Sequence, residues 1–416
     1  MKIEFSEFEE AFELISSLLP PTPLVKNEWL SKKYQANVYL KLESLQPVGS
    51  FKLRGAANKI CNLSEEEKAR GVVAVSAGNH AQGVAWAAQR VGVEATIIMP
   101  KPSPIIKILN TEALGAKVLL EGDNVDESFA YAQKYLKENN KVYAHPFHDP
   151  LVIAGQGSIG FELKKQIERV DYIFGAVGGG GLMAGLGQVM KKLFPEAKII
   201  GTQATGASSM VRSLQQGKLV IDRKLATFAD GIKVREPNQE MFDLLDAVLD
   251  EAVHVPDDQI ALALLDLMEQ ARIITEGAGA ISLAAFNELY QKSPRRFKNK
   301  NVVLTICGGN IDINLVDRII EKGLIESHRR IKVDLLLDDR PGSLFELTKL
   351  VKEAKGNILQ VTHNRNAPYL ELQESIVEVT LETKGQSHAR QILQALSKKF
   401  KVCNKDPVFK DQLEGD

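Results

Sequence analysis

VVAVSAGNHAQGVAWAAQRVG, residues 72–92, joins a strand to a helix through a glycine turn. Val72 to Val75 form a near-continuous apolar run, too short for a helix and without polar alternation, as expected of a strand covered on both faces. From His80 onward apolar residues recur at helical spacing, so HAQGVAWAAQRVG predicts a helix that starts directly after the turn. Strands that alternate with helices in this way build a parallel sheet.

The same unit recurs on either side, from about residue 38 to residue 315. VYLKLES, EATIIMP, AKVLLEG, DYIFGAVG, AKIIGTQ and NVVLTICGG are further strand candidates, separated by segments of helical period. The expected architecture is an open α/β fold in two lobes. After Arg330 the pattern changes: IKVDLLL, ILQVTHNR, SIVEVTLET and KVCN read as strands, LFELTKLVKEAKG and SHARQILQALSKKF as helices. Their order, β-α-β-β-α-β, predicts a ferredoxin-like α+β unit. The charged segment GLIESHRR marks the expected boundary, giving domains at 1–325, with a small lobe over about 50–150, and at 326–405. The final residues, DPVFKDQLEGD, read as a frayed tail.

Composition removes several classes of function. The 52 basic residues nearly cancel the 53 acidic ones, so no broad field gathers nucleic acid or an anionic membrane. No run approaches the roughly 20 apolar residues of a membrane helix. The N-terminal sequence lacks the basic start and apolar core of a signal peptide, and the three cysteines, Cys61, Cys307 and Cys403, form no disulfide framework. A cytoplasmic protein is expected.

Four motifs hold the candidate chemistry. In SFKLRGA, residues 50–56, Ser50 is positioned to N-cap a helix whose first turn contains Lys52. The positive end of a helix dipole disfavours a cation there, so a neutral amine or an imine is better tolerated than an ammonium. In SAGNHAQG, residues 76–83, backbone amides at the helix start should converge on an anion, with Asn79 offering both a donor and an acceptor. His80 reads as a structural hydrogen-bonder. VGGGGLMAG, residues 177–185, places Gly178, Gly179, Gly180 and Gly181 at another helix start, the expected form of a phosphate cradle. It also matches the dinucleotide fingerprint formally, but the next strand ends in Gln203 and Thr205, with no acid to hold a ribose, so a monophosphate fits better. In TICGGN, residues 305–310, Cys307 could be a nucleophile, a buried thiol or a weak partner to a ring nitrogen. His145 and His148 in HPFHDP read as a polar turn rather than a zinc pair, and Asp257 and Asp258 as a helix start. Whether any metal ion binds is not legible.

Taken together and in this order, SFKLRGA, SAGNHAQG, VGGGGLMAG and CGGN resemble the fold-type-II pyridoxal-phosphate enzymes, and among them the threonine dehydratase (threonine ammonia-lyase) group, over about residues 5–320. HPFHDPLVIAGQGSIG and TFADGIKV look like that group too. The C-terminal unit resembles an ACT domain through DDRPGSL and GNI, which suggests the single-ACT, medium-length form. The resemblance implies a lyase of amino-acid metabolism that uses pyridoxal 5'-phosphate. It would turn L-threonine into 2-oxobutanoate and ammonia, as in isoleucine biosynthesis, and also act on L-serine. It further implies that Lys52 carries the cofactor and then serves as base, Phe51 packs against it, Asn79 meets the ring hydroxyl, and Gly178 to Gly181 with Leu182 hold the phosphate. Cys307 would stand where many relatives place serine, opposite the ring nitrogen, and Ser76, Ala77, Gly78, Asn79 and His80 would receive the substrate carboxylate. Allosteric control by isoleucine or valine near Asp339, Arg340, Gly342 and Asn357, at an interface between ACT domains of a dimer or tetramer, is the matching expectation for the C-terminal unit. A serine racemase or serine dehydratase, or a silent amino-acid sensor, is the alternative.

Overall fold

The computed structural model describes residues 1–222 and 224–403, and the chain divides between Ile313 and Asn314 into two compact units. The sequence DPVFKDQLEGD lies outside the described residues.

The first unit holds two sheets. The smaller contains β3 (Val72–Val75), β4 (Ala95–Met99), β5 (Lys117–Leu120) and β6 (Val142–Tyr143), in the order β5-β4-β3-β6 and parallel throughout. Every residue of β3 and β4 is buried, as the unbroken apolar runs required. The larger sheet takes β1 (Leu24–Lys26), β2 (Asn37–Lys41), β7 (Tyr172–Ala176), β8 (Lys198–Ala204), β9 (Glu251–Val255) and β10 (Asn301–Thr305), in the order β1-β2-β10-β7-β8-β9. Only β1 runs antiparallel, against β2. Each predicted strand of this unit is present, but β1, β6 and β9 were not predicted. All three are sheet edges, and their mixed or partial burial leaves no apolar signature.

A helix over Lys52–Cys61 lies between the helices Asn79–Val91 and Pro150–Gln166. Its contact with the latter is backbone to backbone. A Cβ added at Gly55 would fall 2.6 Å from the Val152 carbonyl oxygen, and one at Gly155 would fall 2.7 Å from that of Arg54. Glycine on both helices lets the chain carrying Lys52 sit directly on its neighbour.

The second unit contains β11 (Arg330–Asp338), β12 (Asn357–Asn364), β13 (Glu374–Glu382) and β14 (Lys401–Val402), in the antiparallel order β12-β13-β11-β14. Helices Ser343–Glu353 and Gln386–Ser397 complete the predicted β-α-β-β-α-β order of an ACT-like ferredoxin fold. Ile331, Val333, Leu335 and Leu337 alternate into its core, against Leu347, Val351 and Leu396. Among the described residues no helix is long and apolar enough to cross a membrane.

Candidate active site

Three of the four motifs leave the carboxyl ends of parallel strands, where ligands bind in open α/β sheets: SAGNHAQG after β3, VGGGGLMAG after β7, and CGGN after β10. The fourth enters sideways. Ser50 forms an isolated bridge with Gly308, the Phe51 N–H donates to the Cys307 carbonyl at 3.0 Å, and Lys52 is then the first residue of its helix. Ser50 is therefore not the N-cap that the sequence predicts: Phe51 occupies that position, and the Ser50 hydroxyl is buried without a partner. Pairing with the CGGN loop holds Ser50 one residue too far from the helix to cap it.

The Lys52 ammonium nitrogen donates to the Pro146 carbonyl at 3.0 Å and lies 5.3 Å from the centroid of the Phe51 ring. Burial lowers its pKa to about 8, against the opposing pull of Glu276. An amine so placed is available in its neutral form near physiological pH.

At the start of helix Asn79–Val91, the Gly78 N–H is taken by the Ser76 hydroxyl at 3.1 Å, and the first amide to reach back into the turn is that of Gln82, to Gly78 at 3.4 Å. The amides of Asn79, His80 and Ala81 thus have no acceptor within the helix. A Cβ at Gly78 would meet nothing within 4 Å, so the space beside this turn is open. His80 is committed elsewhere: its Nε2 bonds to the Ala144 carbonyl at 2.8 Å, and burial, with Lys52 nearby, lowers its pKa to about 3. A neutral imidazole must donate from Nε2 to that carbonyl, so what His80 offers an anion is its backbone N–H.

The third of the four glycines, Gly180, has a φ of +96° in the left-handed region, and its carbonyl accepts the first bond of helix Gly181–Leu193 from Ala184 at 2.9 Å. The amides of Gly181, Leu182 and Met183 therefore point out of the helix start. Leu182 itself is buried, leaving its N–H as the part it can present. Phe147 closes the loop from outside: a Cβ at Gly179 would fall 2.3 Å from its ring. The HPFHDP turn thus touches both Lys52, through Pro146, and the glycines, through Phe147. His145 organises that turn by accepting the Phe147 and His148 N–H groups on Nδ1, at 3.2 and 2.8 Å, and burial lowers its pKa to about 4. His148 instead pairs with Glu240 at 2.6 Å. The described residues hold no cluster of three or more metal-ligating side chains.

The Cys307 thiol is buried and donates to the Ala278 carbonyl at 3.1 Å. Burial, reinforced by Glu276, raises its pKa well above the ordinary thiol range, which removes the nucleophile reading. Native protein treated with a thiol reagent at pH 8 is expected to label exposed Cys403 and leave Cys307 untouched until the chain is denatured. Peptide mapping of labelled sites checks this, and native labelling of Cys307 would contradict it.

Sequence reasoning gave no role to two residues of the site. Glu276, at the start of helix Gly277–Lys292, accepts a hydrogen bond from the Asn79 amide at 2.8 Å, and burial raises its carboxyl pKa to about 7. Asn310 donates to Asn79 Oδ1, also at 2.8 Å. Nothing around Glu276 in the sequence singles it out, whereas Asn310 closes the quoted CGGN motif.

In the second unit, Asp338, which precedes Asp339, Arg340 and Gly342, pairs with Glu374, and Asn357 pairs with Glu382. These are opposite ends of β13, about 25 Å apart by strand rise. Within one chain Asn357 therefore does not join the other three in a pocket. Asp339 pairs with Arg365 at 3.0 Å, Arg340 lies 3.5 Å from Asp338, and Asn357 donates to Glu382 at 2.9 Å.

A family model described as pyridoxal-phosphate dependent enzyme matches residues 15–308. The L-threonine ammonia-lyase of Thermotoga maritima is 44% identical, over 95% of this chain and 97% of that one. Among solved structures, the processed form of threonine deaminase isoform 2 from Solanum lycopersicum superposes with a TM-score of 0.72 at 38% identity, covering 77% of this chain and 90% of that one. Serine racemase from Dictyostelium discoideum does so with a TM-score of 0.70 at 32% identity, covering 75% and 99%.

Proposed function

The chain belongs to the pyridoxal-phosphate dependent enzymes of fold type II, in their threonine ammonia-lyase group, and from that premise we propose that it eliminates water from L-threonine, giving 2-oxobutanoate and ammonia. The observation that carries this reading is Lys52. It is a half-buried amine with a pKa lowered to about 8, tied through one turn to a glycine loop at a helix start. A primary amine and free helix-start amides, with an uncharged sulfur at Cys307, fit an aldehyde ring bearing a phosphate.

Pyridoxal phosphate, when bound, supplies the electron sink for negative charge at the substrate Cα. The chain supplies position and protons. Lys52 would be the anchoring amine and, as a free amine, the base that takes the Cα proton. The backbone amides from Gly178 to Leu182 would hold the phosphate, and Phe51 would pack against the ring. Asn79 would meet the ring hydroxyl. Cys307, kept uncharged by burial and with its S–H on the Ala278 carbonyl, would offer the ring nitrogen only a neutral sulfur. The Ser76–His80 turn binds the substrate carboxylate through backbone N–H groups. L-serine, which differs by one methyl group, is a second substrate on the same geometry.

The C-terminal unit reads as a regulatory ACT-like domain. Gly342, at φ +97° before helix Ser343–Glu353, has open space beside it. Because Asn357 lies at the far end of the sheet, an effector such as isoleucine or valine that touches both positions needs two copies of the domain, and hence an oligomer.

The test is a product assay. With pyridoxal phosphate, purified protein is expected to release 2-oxobutanoate and ammonia in equal amounts from L-threonine. Conversion of L-serine mainly to D-serine would favour a racemase instead, and a bound cofactor without turnover would leave a silent sensor.

A further inference from the structure

We infer that Glu276 is a positioning residue of this site: with Asn310 it orients the Asn79 amide toward the cofactor and joins the first turn of helix Asn79–Val91 to the larger sheet. The inference rests on the reading that Asn79 faces the ring hydroxyl.

Glu276 occupies the N-cap position of helix Gly277–Lys292, where a carboxylate ordinarily accepts from the helix's own amides. Its side chain makes no such bond. It turns away instead and accepts from Asn79 Nδ2 at 2.8 Å. On the other side of the amide, Asn310 Nδ2 donates both to Asn79 Oδ1 and to the Val48 carbonyl, each at 2.8 Å, so both its N–H groups are used. Asn310 presents only a donor here, since its other N–H is held by the Val48 carbonyl, and this turns Asn79 Oδ1 toward Asn310 and Nδ2 toward Glu276. Asn79 therefore has a single amide orientation, with one N–H left over. A ring oxygen in its anionic form needs such a donor, and a flipped amide would present an acceptor in its place.

The surroundings are shaped for this arrangement. A Cβ on Gly308 would fall 2.4 Å from Glu276 Oε1 and 3.1 Å from Asn79 Nδ2, so the first glycine of CGGN is what admits the pair. The Glu276 N–H donates to the Gly308 carbonyl at 3.1 Å, and Thr275 bonds to the same oxygen. Asn79 follows β3 in the smaller sheet, whereas Asn310 follows β10 in the larger one. The chain Asn310–Asn79–Glu276 thus ties the anion-binding turn of one lobe to the strand ends of the other. Lys52, Lys107 and Asp230 are the charged groups that act on the Glu276 carboxyl across this junction.

The experiment uses the full chain reconstituted with pyridoxal phosphate and compares wild type, Glu276→Ala, Glu276→Gln and Asn310→Ala. Three quantities are read: the pH midpoint of the cofactor's visible absorbance, the cofactor Kd, and kcat and KM for threonine. Glu276→Ala is expected to move the absorbance midpoint by about one pH unit or more. It should lower kcat on the order of 10–100-fold, the scale of a small misplacement at a reacting group. Asn310→Ala should move both in the same direction, and Glu276→Gln, which keeps an acceptor for Asn79, should recover most of the midpoint. A merely structural glutamate would lower melting temperature and cofactor affinity together and leave the midpoint where it was. That outcome in Glu276→Ala, with a normal wild-type spectrum, overturns the inference alone. A wild type without a lysine-bound cofactor band removes the underlying reading and the inference with it.

Discussion

Lys52→Ala is expected to abolish the visible absorbance of lysine-bound pyridoxal phosphate and to lower threonine turnover by more than about 10³-fold, because anchor and base are lost in one substitution. The wild-type amine is prepared for the first role by its burial. With a pKa lowered to about 8, roughly a quarter of it is neutral at pH 7.5, against about one part in a thousand for a lysine at the ordinary 10.5. The sign follows directly. Only the neutral amine attacks an aldehyde, so the rate at which cofactor loads should rise through about pH 8 and level off above it, rather than climb on toward pH 10. Borohydride reduction of the loaded wild type should leave its mass tag on the peptide containing Lys52. Recovery of the tag on another lysine, or a covalent adduct surviving in Lys52→Ala, would falsify the assignment.

Arg54→Met, two residues along the same helix, is expected to cost about 3–5 kcal/mol of stability, the scale for removing one partner of a buried ion pair. The guanidinium is fully buried. It contacts Glu43 twice, at 2.7 and 2.9 Å, Glu162 at 2.7 Å and Ser158 at 3.1 Å. Lys41, also fully buried, reaches Glu162 at 2.5 Å, the Thr22 carbonyl at 2.8 Å and Gln166 at 3.0 Å. Two cations and two carboxylates thus neutralise each other in a buried cluster. Burial alone would raise the Glu43 carboxyl, but the Arg54 guanidinium overrides it and holds the pKa below the usual carboxylate range. Methionine replaces the stem and leaves Glu43 without its only guanidinium. Both tryptophans, Trp29 and Trp86, lie in the first unit, so their fluorescence during urea unfolding reports on this unit alone. Adding Glu43→Gln should restore part of the loss, since it removes the stranded charge. A loss under about 1 kcal/mol, the value of an exposed pair, would show that the cluster is not closed to water.

The two predictions concern neighbours on one helix that differed in how much the sequence disclosed. Lys52 was legible because SFKLRGA belongs to a set of motifs whose order resembles one family. Arg54 lies inside the same motif, yet its role depends on Glu43 and Glu162, which lie on the strand side and on a helix far along the chain. Ser50 shows the converse error. A serine two residues before a helical lysine has the composition of a cap, but pairing with Gly308 takes it out of reach. In the ACT-like unit the register of β13 places Asp339 and Asn357 at opposite ends of a sheet, a separation that the local sequences DDRPGSL and GNI do not encode.

The sequence by itself determined the parallel α/β class, the central strands, the β-α-β-β-α-β order of the second unit, and the strand-to-helix turns that present backbone amides. Each of these depends on local periodicity and on where glycine permits a turn, and both are written in consecutive residues. Tertiary structure alone decided the edge strands β1, β6 and β9, the buried Arg54 cluster, and the meeting of Glu276, Asn79 and Asn310. Edge strands carry little apolar pattern because one side has no neighbour to bury it. Buried polar contacts join residues as far apart as 197 and 231 positions in the chain, as Asn79 does with Glu276 and Asn310, and no local pattern encodes such a pairing.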